Sequence, residues 1–187
     1  ISAADLDNCN DTMSYTIQNK PVITTYPYLE TFENGAGGWD ADNTVNGTWE
    51  LTTPAGTVIN SAASGVNSWV TNADGNYNVN ENSFVESPCF DFTALDSGSW
   101  TAMKIWWETE NSWDGANLQY SLDTAQTWTN LGLNGEPNNW YNDNSISGAP
   151  GGSQEGWTGD VNNNGSGEWV IAKHALEDTI FGGQPHV

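Results

Sequence analysis

Short runs of β-branched and aromatic residues alternate along this chain with clusters of Asn, Gly, Asp and Ser. Inside the runs apolar and polar positions alternate with period two, the mark of strands half-buried on one face. The pattern predicts strands at 48–53, 68–71, 83–86, 102–109, 116–121, 127–131 and 168–174. Asn34-Gly35, Asn46-Gly47, Asp74-Gly75, Asp114-Gly115 and Asn134-Gly135 are the turn signals between them. No segment sustains a 3.6-residue apolar period, so the expected class is all-β, a two-sheet β-sandwich or jelly roll.

The strand at 102–109 shows its faces most clearly. Met103, Ile105 and Trp107 fall on one side, and Lys104, Trp106 and Glu108 on the other. The next strand places Ala116, Leu118, Tyr120 and Leu122 inward. A hairpin across 111–115 is the expected connection. From Gly132 to Gly167 the texture is that of a long loop punctuated by Trp140, Tyr141 and Trp157. Aromatics in such a loop either pin it to the body or present a ligand platform.

Composition changes the picture in two ways. Hydrophobic content is 36%, but 11 Trp, 6 Tyr and 5 Phe restore the area that a single core needs. Residues 1–27 read as an N-terminal leader or linker, with a β-rich stretch at 22–25, and residues 28–187 as one sandwich domain. The net charge is −21, from 24 Asp plus Glu against three Lys and no Arg. No basic patch for nucleic acid or an anionic membrane can be assembled from that, and no hydrophobic run approaches the length of a membrane span. The acidity suits a solvated surface or divalent cations. The absence of an export signal fits a mature chain.

Candidate chemistry is sparse. Cys9 and Cys89 either form a disulfide tying the N-terminal segment to the domain, worth about 4–5 kcal/mol on the chain-entropy model, or remain free thiols. None of HExxH, GxSxG, a P-loop or a dinucleotide fingerprint occurs. His174, near a strand end, and His186, beside the terminus, are the two imidazoles; the expectation is a non-enzyme. Asp160-Val161-Asn162-Asn163-Asn164-Gly165 matches the first half of a calcium loop, but Ile171 stands where the closing Glu should be. A looser calcium site from Asp160, Asn162, Asn164 and Glu168 competes with an Asn-rich turn closed on its own backbone. Asp40 and Asp42 suggest a second acidic loop. Trp106, Trp113, Trp140, Tyr141 and Trp157 are the candidates for stacking sugar rings, with surface glycans or other extracellular chains as partners.

Several segments together resemble one family. They are 28–33 with Gly38-Trp39, Gly47-Thr48-Trp49-Glu50, 68–71, Glu86-Ser87-Pro88-Cys89-Phe90, Ser112-Trp113-Asp114-Gly115, Leu118-Gln119-Tyr120-Ser121, Trp128, Asn139-Trp140-Tyr141-Asn142 and Glu168-Trp169-Val170. Their order is similar to the MAM-like jelly-roll domains of large secreted and surface proteins, and of some secreted peptidases, of Bacteroidota that use type IX secretion. The resemblance implies export and an adhesion or accessory role without naming a ligand. It also implies a structural cation at Glu33, whose second ligand has no counterpart here. In that setting Asp11-Thr12-Met13, Asp123-Thr124-Ala125 and Asp178-Thr179-Ile180 resemble O-glycosylation signals at Thr12, Thr124 and Thr179. Two closing strands of such domains are expected beyond Val187, so the domain reads as C-terminally incomplete.

The leading function is a calcium-stabilised adhesion or glycan-binding module. Alternatives are an accessory domain of a secreted peptidase or a structural subunit of an extracellular assembly. Alkylation without reductant should add no mass to the intact chain; two thiol adducts would show Cys9 and Cys89 to be free.

Overall fold

A computed structural model describes residues 20–95 and 97–187. The elements are β1 (Val22–Ile23), β2 (Asp40–Val45), β3 (Trp49–Thr52), β4 (Ser68–Thr71), β5 (Asn82–Glu86), β6 (Cys89–Phe90), β7 (Trp100–Ile105), β8 (Gln119–Tyr120), β9 (Thr129–Asn130) and β10 (Val170–Ala175). A 3₁₀ turn at Pro150–Gly152 and one α-turn, α1 (Asp178–Phe181), are the helical pieces among the described residues. The all-β expectation therefore holds. Strands pair two by two: β2 with β5, β3 with β4, β7 with β10 and β8 with β9, all antiparallel, and β1 with β6 in parallel.

Two expectations are corrected here. The strands around Lys104 and Gln119 do not form a hairpin: β7 takes β10 as partner, β8 takes β9, and Ala116 bridges to Trp157. Residues 22–23, assigned to the leader, belong to the fold as β1, with Val22 opposite Cys89 and Ile23 opposite Phe90. The final residue is also placed, since the Val187 and Phe90 amides exchange hydrogen bonds with each other's carbonyls at 3.0 and 2.8 Å.

The faces of β7 follow the alternation. Met103 and Ile105 pack against the core, while Trp100, Ala102 and Lys104 are exposed. The strand stops at Ile105, where the Trp107 amide turns to the Ser166 hydroxyl. Trp107 still faces inward, and its indole donates to the Thr158 and Asn164 carbonyls. Trp106 is not an outward side chain. It lies half-buried, edge-on to Trp169 at 6.1 Å, because alternation lapses once the ladder ends.

The core is concentrated where a loop was expected. Trp140, Tyr141 and Trp157 are 3%, 2% and 1% exposed, and they pack with Phe92, Leu131, Ala172 and Phe181. Tyr141 and Trp157 meet edge to face at 4.6 Å, and Trp140 and Trp157 at 5.3 Å. Each polar tip finds a backbone partner: Trp140 donates to Leu131, Trp157 to Asn139 and Tyr141 to Leu118, all at 2.9 Å. Burying an indole or phenol without such a bond would cost a few kcal/mol. The aromatics of 132–167 are thus pegs that hold an irregular segment in the interior.

Trp157→Ala should lower unfolding stability by about 3–5 kcal/mol, as deletion of a buried aromatic does. Exposed Trp113→Ala should stay within about 0.5 kcal/mol. Urea midpoints at constant m-value check both.

Candidate functional site

Burial sorts the five candidate platform aromatics. Trp140, Tyr141 and Trp157 have no face open to a ligand, which corrects their assignment as a sugar platform. Trp106 is half-buried against Trp169, with its indole nitrogen enclosed. Trp113 is different: 61% of its surface is exposed.

Trp113 is held on a rigid turn. Its amide donates to the Glu110 carbonyl at 3.0 Å, and its own carbonyl accepts from Gly148 at 2.7 Å. A Cβ on Gly148 would lie 2.6 Å from that carbonyl oxygen, so the approach needs glycine. Thr158, fully buried, donates its hydroxyl proton to the Asp114 carbonyl at 2.6 Å and accepts from the Ser112 amide at 2.9 Å. Tyr77 closes the other side: its hydroxyl donates to Asp114 Oδ2 at 2.8 Å and accepts from the Glu110 amide. Burial, together with the Asp114 carboxylate, pushes the Tyr77 phenol up to about 12 despite the stabilising Glu110 amide. The residues just before Trp113 in the chain bond one another: Asn111 Nδ2 donates to the Ser112 hydroxyl, which donates to Asp143 Oδ2 at 3.4 Å. The arrangement offers an exposed indole on a backbone turn that is braced from both sides, a surface able to stack a ring.

Of the expected calcium ligands, Asp160 and Glu33 accept hydrogen bonds from backbone amides of the chain itself. Asp160 Oδ1 accepts from the Asn162 and Asn163 amides at 2.8 and 2.9 Å, and the Gly165 amide closes onto the Asp160 carbonyl at 2.8 Å. That is the Asn-rich turn, with Asn164 left-handed at φ 65° and Glu168 exposed outside it. Asp40 and Asp42 lie on strand β2, not on a loop. Glu33 Oε1 accepts from the Val66 and Asn67 amides at 3.0 and 2.9 Å. Gly65, at φ +63°, leaves room for that carboxylate, which a Cβ would meet at 2.3 Å. Among the described residues no three His, Cys, Asp or Glu side chains gather as a metal-ligand set.

His174 is the next-to-last residue of β10, near the strand end as expected, and it is buried. Its Nε2 sits 2.7 Å from Glu136 Oε2, and the ring packs 4.8 Å from that of Trp140. The side chain is 4% exposed. Gly132 covers it, since a Cβ there would approach His174 Nε2 to 2.6 Å. Thr124 and Thr179 are both exposed, Thr124 at the tip of a turn. Cys89 is half-buried in β6; its partner in the expected disulfide, Cys9, and also Thr12, lie outside the described residues.

Sequence reasoning missed the carboxylate-centred turns. In Ser121–Trp128, Asp123 accepts from the Thr127 hydroxyl and amide at 2.7 and 2.8 Å, from the Ser121 hydroxyl at 2.8 Å and from the Gln126 amide at 3.1 Å. These bonds hold its carboxyl down at about 2. Asp42, Asp91 and Asp143 repeat one device, each accepting the hydroxyl and amide of the Ser or Thr two residues on, and each lies below the ordinary Asp range. The Asp-x-Ser/Thr spacing was the available signal. Glu81 gathers Thr48, Asn78 and Ser83; burial raises it, but the combined hydrogen bonds outweigh that and lower it.

The chain is 34% identical to Bacillopeptidase F of Bacillus subtilis (strain 168) over 128 residues. The match covers 67% of this chain and 9% of that protein. No family model matches the chain, and no solved structure does. Among the described residues, no helix is long and apolar enough to cross a membrane.

Carboxyls lowered in the folded state stabilise it fully above their unfolded values near 4, and that stabilisation is lost as pH falls through the lowered values. Stability should therefore fall between about pH 4 and pH 2, and less steeply in Asp123→Asn. Acid titration followed by tryptophan fluorescence, with the Asp123 carboxyl carbon tracked by NMR, checks the sign and the residue.

Proposed function

We propose that this chain is a non-catalytic accessory module of a larger extracellular protein, which anchors that protein to a glycan-bearing surface through Trp113. The observation that carries the reading is the extent of the match to Bacillopeptidase F, a peptidase by its name. Two thirds of this chain aligns with less than a tenth of that protein. A sequence present as a small fraction of a peptidase is suited to support the catalytic part instead of replacing it.

The exposed indole supports the anchoring role. A Trp left 61% exposed on a turn braced by Tyr77, Thr158 and Gly148 is preorganised, so little freedom is lost when a ring stacks on it. An accessory role in a peptidase and a role in adhesion converge here, because both need a surface that holds a target without transforming it.

The purified chain should leave casein uncut and should be retained by insoluble polysaccharide. Trp113→Ala should weaken retention about tenfold, the loss of roughly 1.4 kcal/mol of stacking, with an unchanged melting temperature. Casein hydrolysis that co-purifies with the chain, or retention indifferent to Trp113, would overturn the reading.

A further inference from the structure

Asn-Gly pairs stand at 34–35, 46–47, 134–135 and 164–165. Each carries a latent reaction, because a glycine without a Cβ lets its main-chain nitrogen approach and attack the preceding side-chain amide. All four asparagines are exposed, so solvent access does not separate them. Their hydrogen bonds do. The Gly47 amide donates to the Asn43 carbonyl at 3.2 Å, and the Asn46 side chain donates to the Val79 carbonyl at 3.4 Å. The Gly165 amide donates to the Asp160 carbonyl at 2.8 Å, and the Asn164 side chain to Asn111 Oδ1 at 2.9 Å. Both asparagines are left-handed, at φ 56° and 65°. Both glycines lie against backbone, where a Cβ would collide with Asn43 or Asp160.

Asn34-Gly35 and Asn134-Gly135 are the opposite case. Among the described residues, neither side-chain amide nor either glycine N–H has a hydrogen-bond partner. A Cβ on Gly35 or Gly135 would meet nothing within 4 Å. The second pair stands in a turn that carboxylates tie down. The Leu133 amide donates to Glu136 Oε1 at 2.8 Å, and the Asn134 main-chain amide donates to Glu155 Oε2. Glu136 Oε2 in turn stands 2.7 Å from His174 Nε2.

We propose that Asn34 and Asn134 are sites of spontaneous deamidation, and that the fold spares Asn46 and Asn164. The glycine nitrogen loses its proton and bonds to the asparagine Cγ. The bond from Cγ to the side-chain nitrogen breaks, and ammonia leaves with that proton, giving a cyclic imide. Water then opens the ring: cleavage at Cγ yields aspartate, and cleavage at the main-chain carbonyl yields isoaspartate. A glycine amide held by a hydrogen bond must open first, and each about 1.4 kcal/mol of local opening slows conversion tenfold. At position 134 either product adds a negative charge between Glu136 and Glu155, and isoaspartate also lengthens the turn by one methylene. Repulsion and added length both draw Glu136 from His174, which weakens the hold of this turn on β10.

Peptide mapping of the folded wild type, incubated at mildly alkaline pH in heavy-oxygen water, reads each site separately, because every conversion fixes a solvent oxygen. Asn34 and Asn134 should convert at least about tenfold faster than Asn46 and Asn164. In urea the four should converge on similar rates, which assigns the difference to the fold and not to neighbouring residues. Aged wild type should melt lower than fresh protein, and Asn134→Gln, whose longer side chain closes a ring far more slowly, should be largely spared. Equal rates at the four sites of the folded chain, or conversion of Asn46 or Asn164 ahead of Asn134, would overturn the assignment. An aged wild type that melts as fresh protein does would overturn the consequence for the His174 contact.

Discussion

Hydrogen bonds from backbone amides to carboxylates organise this fold. The chain has too few cations to neutralise its acids, and the structure answers with N–H groups. Glu33 draws in Val66 and Asn67, Glu50 draws in Ala73, and Glu30 accepts from Thr31 and Phe32. Glu136 caps Leu133, Asp123 closes its turn, and the Asp91–Thr93 and Asp143–Ser145 pairs close others. A charge-assisted bond of this kind is stronger than a neutral one, and it satisfies amides that short strands leave unpaired. Acidity is thus part of the folding chemistry of the loops and not just a property of the surface.

The loops fixed in this way carry the core. Strands of two to six residues cannot bury enough area in ladders alone, and the deepest side chains come from irregular segments. Trp140, Tyr141 and Trp157 supply apolar area while returning their polar tips to backbone carbonyls of the segments they hold. Thr158, the neighbour of Trp157, braces the turn that presents Trp113. The interior peg and the exposed ring are therefore linked through one fully buried residue. The rigidity of the candidate site derives from the packing below it.

The all-β class and several strands were legible because period two survives wherever a ladder exists. The strand at 68–71 was read at the residues where it occurs, and the inward set Met103 and Ile105 was read correctly. Pairing was not legible, since β10 returns to β7 across more than sixty residues and nothing local encodes that choice. Strand β2 was hidden by its composition: Asp-Ala-Asp-Asn-Thr-Val reads as an acidic loop. Exposure on both sides of the candidate site was likewise beyond pattern. Trp113 and Trp157 both sit among Gly, Asp and Ser in the sequence, and only the folded chain separates a surface ring from a buried one.

The amide-held carboxylates also bear on ionic strength. A fold braced by ion pairs between long flexible side chains loosens as salt screens them. Here the attractive contacts are hydrogen bonds at close range, where a screening length of about 8 Å in physiological salt has little purchase. The mutual repulsion of the 24 acidic side chains acts over longer distances and is the part that salt suppresses. Raising salt therefore weakens what opposes this fold and spares what holds it together.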